Sequence, residues 1–152
     1  MRNKLIIAGI ACVAIGGCLL LLSKGHESAP SNDYRTAAST TGFQYEVVSD
    51  PAAQERGLSG RTDVPENYGM LFVFPTDSSY GFWMKDMLVP IDIVWLSDTG
   101  TVLKVDAGVA TSTYPNVFYP PSPVRYVLET KAGESQRQRW MVGTTLQIPF
   151  TN

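Results

Sequence analysis

Residues 5–22, LIIAGIACVAIGGCLLLL, are 18 consecutive residues without a charge, with Arg2 and Lys4 before them and Lys24 close behind. At 1.5 Å per residue a helix over this run extends about 27 Å, close to the roughly 30 Å hydrocarbon core of a bilayer. The run can therefore span. Positive charge is denser ahead of it than after it, which places the N-terminus in the cytoplasm and residues 23–152 outside. A cleaved signal peptide fits less well, because the apolar run continues through four leucines and the first small-residue site, Ser28-Ala29, precedes Pro30.

Ile15-Gly16-Gly17-Cys18 supplies an alternative, since it has the form of a lipobox and would make the protein a lipoprotein acylated at Cys18. The leucines at 19–22 argue against it, because polar residues normally follow a lipidated Cys. Cys12 and Cys18 then read as small apolar residues within the span. Residues 23–41, SKGHESAPSNDYRTAASTT, hold too little apolar surface to offset the entropy of ordering them, and His26 lies among them as a solvated residue. The expected organisation is an anchor at 1–22, a flexible linker at 23–41 and a globular extracytoplasmic domain at 42–152.

Composition then limits the chemistry. With 44% hydrophobic and 17% charged residues the chain is of ordinary globular composition, and 12 basic against 14 acidic residues leave a net charge of -2 and no basic block. That balance gives no electrostatic footprint for nucleic acid, so none is expected as a partner. Beyond residue 26 there is neither Cys nor His, which excludes a thiol nucleophile, a Cys/His zinc site and a Ser-His-Asp triad from the domain. Phosphate-cradling glycine motifs are absent as well, so no metal and no cofactor is expected.

Within the domain the pattern is strand-like and densely punctuated. Phe43, Tyr45 and Val47 alternate as a strand with one covered face. Asp50 caps a short helix that Pro51 opens and Gly57 stops. Residues 70–74, MLFVF, form a continuous apolar run that Pro75 ends, as in a strand buried on both faces. Short runs at 82–84 and 91–96 follow, and the SDTG turn makes 91–97 and 101–107 a hairpin. Residues 108–123 are aromatic, proline-rich and aperiodic, a long ordered loop. A strand at 125–130, a short helix within 133–140 and a closing strand at 144–150 complete the reading. The fold class is α+β and strand-dominated: one compact domain with a curled or barrel-like, mostly antiparallel sheet and one or two short helices, preceded by a transmembrane helix.

Arg56-Gly57-Leu58, Gly69 with the apolar run at 70–74, Phe82-Trp83-Met84-Lys85, Pro90-Ile91-Asp92-Ile93, and Tyr126-Val127-Leu128-Glu129 with Gly133 and Gly143 occur in this order. Together they resemble the domain-of-unknown-function 192 family over roughly residues 43–150. Asp86-Met87 departs from the Asn-Thr more frequent in that family. The resemblance implies a small, often exported or anchored one-domain protein, and carries no activity, substrate or cofactor with it.

Four residues are candidates for a site. Asp92 interrupts an apolar strand and needs partners, either loop amides or a cation such as Lys85 or Arg56, or else serves as a ligand-contacting acid. Lys85 can lay its stem on Trp83 and either reach a carboxylate or face a pocket. Arg56 sits at a helix end, where the dipole alone favours a cation. Glu129 is either a solvated edge residue or a second acid. Trp83, Tyr114 and Tyr119 are candidate ligand-contacting aromatics. A domain without His or Cys has few acid-base groups, which favours a module binding a small molecule, a glycan or a peptide over a metal-independent hydrolase or lyase using carboxylates and Lys85. The third class is a structural or assembly protein at the membrane.

Overall fold

The structure, a computed structural model, describes residues 35–38 and 42–149. The anchor expected at 5–22, with Cys12 and Cys18, and His26 in the linker lie outside the described residues. Among the described residues no helix is long and apolar enough to cross a membrane.

The apolar runs become the middle of one sheet. Strands β1 (Arg35–Ala38), β2 (Gln44–Val48), β3 (Tyr68–Ser78), β5 (Ile91–Leu96), β6 (Val102–Val109) and β8 (Val124–Lys131) order as β1-β2-β3-β8-β5-β6. The five strands from β2 to β6 make its body. Only β2 and β3 run parallel; the other neighbours are antiparallel. Strands β4 (Phe82–Trp83) and β7 (Val117–Phe118) form a separate two-stranded sheet. The domain is strand-dominated as its pattern indicates, but the sheet is mixed and open: β1 and β6 are its two edges and no barrel closes. Strand β1 also carries the sheet into four residues of the segment read as linker.

Both faces of this sheet are covered, which is why the continuous runs rather than the alternating ones occupy its centre. All six residues of β5 are buried. One layer packs Met70, Phe72, Ile93, Trp95 and Val127 with Phe82 and Met84. The other packs Phe43, Tyr45, Leu71, Val94 and Leu128 with Leu146 and Ile148.

Three boundaries differ from the sequence reading. Pro75 does not end β3: the strand continues to Ser78, but its register against β8 breaks between Val73 and Ser78, where proline has no N–H for the ladder. Of the closing strand expected at 144–150, none forms among the described residues 144–149. Thr145 makes one isolated bridge to Thr101, and the alternation instead delivers Leu146 and Ile148, 4% and 3% exposed, into the core without a ladder. The helix within 133–140 is a single turn, α2 (Glu134–Arg137). The aromatic segment at 108–123 is ordered by a 3-10 turn (Thr111–Thr113) and by β7.

Candidate functional site

The helix α1 (Pro51–Arg56) has no buried residue, so its ends and one side chain hold it. Asp50 accepts from the amides of Ala52 and Ala53 at 3.0 Å each, satisfying two of the free N–H groups of the first turn. Gln54 Nε2 donates to the carbonyls of Val48 (3.3 Å) and Val73 (2.9 Å), tying the helix to β2 and β3. Gly57 ends it with φ 53°, in the left-handed region. A side chain is strained there, both by the positive φ and because a Cβ on Gly57 would lie 3.0 Å from Glu129 Oε2 and 3.4 Å from Phe72 Cζ.

That turn aims the Leu58 amide at the sheet, where it donates to Glu129 Oε2 at 3.2 Å. Glu129 lies on the central strand β8, opposite Met70 of β3 and Ile93 of β5, within the apolar layer beneath α1 and β4. It is 5% exposed. Burial raises its pKa from 4.5 to about 7, against the lowering influence of the Leu58 amide and of Arg61. The Leu58 amide is its one hydrogen bond among the described residues.

Glu129 forms part of the wall of a cleft of about 260 Å³ between the end of α1 and the start of β4. Phe74, Tyr80, Phe82 and Trp83 supply its aromatic walls, and Gln54, Glu55 and Arg56 come from the helix. The walls are braced from behind: Tyr80 stacks on Phe74 with centroids 3.6 Å apart, and Phe82 meets Phe72 and Trp95 edge-on at 4.9 and 5.3 Å. Trp83, 45% exposed, is accessible from solvent. A second, more polar cleft of about 290 Å³ shares Glu55, Arg56, Ser59 and Trp83 with the first and adds Lys85 and Asp86.

The structure therefore brings Arg56, Glu129 and Trp83 to one cleft and places Lys85 beside Arg56 in its neighbour. Lys85 is exposed and makes no ion pair among the described residues; its backbone carbonyl accepts from Ser59 Oγ at 2.9 Å. The reading of Lys85 as one half of a salt bridge is thus not met. Asp92 does not join the group. It is fully buried, and neither Arg56 nor Lys85 is its partner: Oδ1 accepts from the amides of Gly108 (2.7 Å) and Gly133 (3.1 Å), and Oδ2 from the amide and hydroxyl of Ser135 (2.9 and 2.6 Å). It tethers β6 and the start of α2 to β5. Glu129 is not a solvated edge residue, because β8 lies between β3 and β5. Tyr114 and Tyr119 are exposed and lie outside both clefts. Among the described residues no three Asp, Glu, His or Cys side chains are grouped to hold a metal.

Sequence reasoning missed Phe74, Tyr80 and Gln54, and above all the Leu58 amide. The signal was present in Arg56-Gly57-Leu58 and Glu129, which both fall in the motifs quoted above, but nothing in their spacing pairs them. The departure at Asp86 has a simple account. Its φ is 56°, in the left-handed region that Asn and Asp tolerate best among residues with a side chain, so either residue fits this turn.

Residues 34–148 match the DUF192 family, described as Uncharacterized ACR. Among solved structures the chain is similar to a "putative transcription regulator" from Sinorhizobium meliloti 1021, at 26% identity and TM-score 0.65, over 72% of this chain and 91% of that one. It is similar also to a protein of unknown function from Novosphingobium aromaticivorans DSM 12444, at 26% identity and TM-score 0.61, over 71% of this chain and 79% of that one. No curated protein matches.

Proposed function

The chain belongs to the DUF192 family, and from that premise we propose that it is a membrane-anchored extracytoplasmic module whose cleft at the end of α1 binds a small molecule. The observation that carries this reading is the Glu129 carboxyl in the wall of an aromatic cleft, 5% exposed and with one hydrogen bond. A mostly apolar concavity with a few convergent polar groups is the usual form of a small-molecule site. The volume, about 260 Å³, falls just below the roughly 300–1,000 Å³ common for drug-sized ligands, so it favours a small ligand over a glycan chain or a folded peptide.

A hydrolase or lyase is the second reading, favoured by a Glu129 pKa near 7, which suits a general acid or base. Against it, Asp92 is committed to the fold and Lys85 lines the neighbouring cleft. The anchor at 5–22 supports the extracytoplasmic placement through its length and flanking charge. The net charge of -2 gives no electrostatic support for nucleic acid, whatever role the Sinorhizobium neighbour has.

A thermal-shift screen of the full chain in nonionic detergent against small molecules, oligosaccharides and peptides tests the reading. Ligands that stabilise the wild type and lose that effect in Trp83→Ala support it. Hits unaffected by both Trp83→Ala and Glu129→Gln place the binding elsewhere and defeat it.

A further inference from the structure

We infer that the ligand group received by Glu129 is an ammonium, so that the cleft selects small organic amines; this rests on the small-molecule reading of the cleft. A carboxylate offers about four acceptor positions, and Glu129 uses one of them, on the Leu58 amide. Among the described residues no cationic side chain pairs with it. The charged groups around it are otherwise engaged or solvated. Arg61, beyond the turn after α1, donates to both oxygens of Glu46 at 2.9 and 2.8 Å and to Tyr68 Oη at 2.6 Å. Arg56 and Glu55 of α1 are exposed at the cleft rim. Tyr80 Oη, on the opposite wall, donates to the Thr76 carbonyl at 2.7 Å.

A buried carboxylate without an ion-pair partner is costly to ionise, a cost that Arg61 offsets only in part, and a cation entering the cleft would offset the rest. The remaining walls suit the same guest. Aromatic rings carry negative π faces that attract an ammonium and its alkyl substituents, and Trp83 and Tyr80 border the space with Phe74 and Phe82. An anion would meet the Glu129 carboxylate. A neutral acceptor would require Glu129 protonated, which reverses the pH dependence. The cavity volume of about 260 Å³ restricts the guest to one ring or a short alkyl chain.

Calorimetric titration of the full chain in nonionic detergent with benzylammonium, benzyl alcohol and benzoate, at pH 5.5 and pH 8, separates these cases. Benzylammonium is expected to bind in preference to the other two, about tenfold or more tightly at pH 8 than at pH 5.5, because only ionised Glu129 pairs with it. Glu129→Gln, which keeps an acceptor for the Leu58 amide, is expected to lose that binding while retaining the wild-type far-ultraviolet dichroism. Equal or tighter binding of benzyl alcohol or benzoate overturns the ammonium assignment and leaves the small-molecule reading standing. Benzylammonium binding that Glu129→Gln does not weaken overturns it too. Absence of binding by all three at millimolar concentration overturns the assignment, whereas the small-molecule reading fails only if the wider screen also yields no ligand dependent on Trp83 or Glu129.

Discussion

Asp92 and Glu129 are both buried carboxylates, 0% and 5% exposed, and their surroundings make opposite demands on them. Asp92 accepts four hydrogen bonds, all from donors. Removing it in Asp92→Ala strands three amides and a hydroxyl, and should cost on the order of 3 kcal/mol in urea melts. Asp92→Asn is less benign than its isosteric shape suggests. Turned one way, its NH2 faces the Gly108 and Gly133 amides; turned the other, it faces the Ser135 amide while the Ser135 hydroxyl can rotate to accept from it, so a loss of about 1–2 kcal/mol, smaller than that of Asp92→Ala, is expected. Glu129 instead has a folded pKa raised from 4.5 to about 7, so the native state holds its proton where the unfolded chain has released it. Its contribution to stability is fully present below the unfolded pKa and is lost as pH rises through the folded one. Between pH 4.5 and 7 the wild type should therefore lose about 3 kcal/mol relative to Glu129→Gln, which does not titrate. Paired urea melts across that window measure it, and a flat difference would mean that Glu129 titrates normally. Burial alone separates neither residue from the other. Asp92 stood out in the sequence as a charge within an apolar strand, but its partners arrive from Gly108, Gly133 and Ser135, which no periodicity connects.

At the scale of elements, α1 was legible because its signals are local: a capping Asp50, Pro51 at the first position and Gly57 at the stop. With no buried residue to hold it, the cap should matter. Asp50→Ala is expected to cost about 1 kcal/mol in denaturant melts and to speed amide exchange in residues 52–54 before the rest of the domain, since it frees the amides of Ala52 and Ala53. The buried runs that became β3 and β5, and the hairpin of β5 with β6, were legible for the same reason. The segment at 144–148 was not. It alternates apolar and polar residues because its side chains alternate between core and solvent, yet its backbone makes one isolated bridge rather than a strand, with the Leu146 amide donating to the Gly100 carbonyl at 2.9 Å and the Thr144 carbonyl accepting from the Val102 amide at 2.8 Å. Alternation reports which side chains are covered; it does not report whether a neighbouring strand is there to pair.

For the whole molecule, the expected anchor makes a direct prediction: the full chain should remain in the membrane pellet after alkaline carbonate extraction, and a soluble product beginning near residue 30 would show instead that the segment is cleaved. Globomycin-sensitive processing with acyl-Cys18 would favour the lipoprotein alternative. That prediction rests on length, hydrophobicity and flanking charge, which are properties of the chain before it folds. In the same way, the sequence by itself determined that the domain is strand-dominated, that its central strands are buried on both faces, and that its chemistry has no thiol or imidazole beyond residue 26. Tertiary structure alone decided that the sheet stays open and mixed, with β2 and β3 parallel towards one side of it, because closure depends on how edge strands meet across the molecule. It alone set Glu129 beside the Leu58 amide, 71 residues away in sequence, and enclosed it with Phe74, Tyr80, Phe82 and Trp83. Side-chain period is a local property, carried by successive Cβ directions, whereas a cleft is made by segments that become neighbours only when the sheet forms.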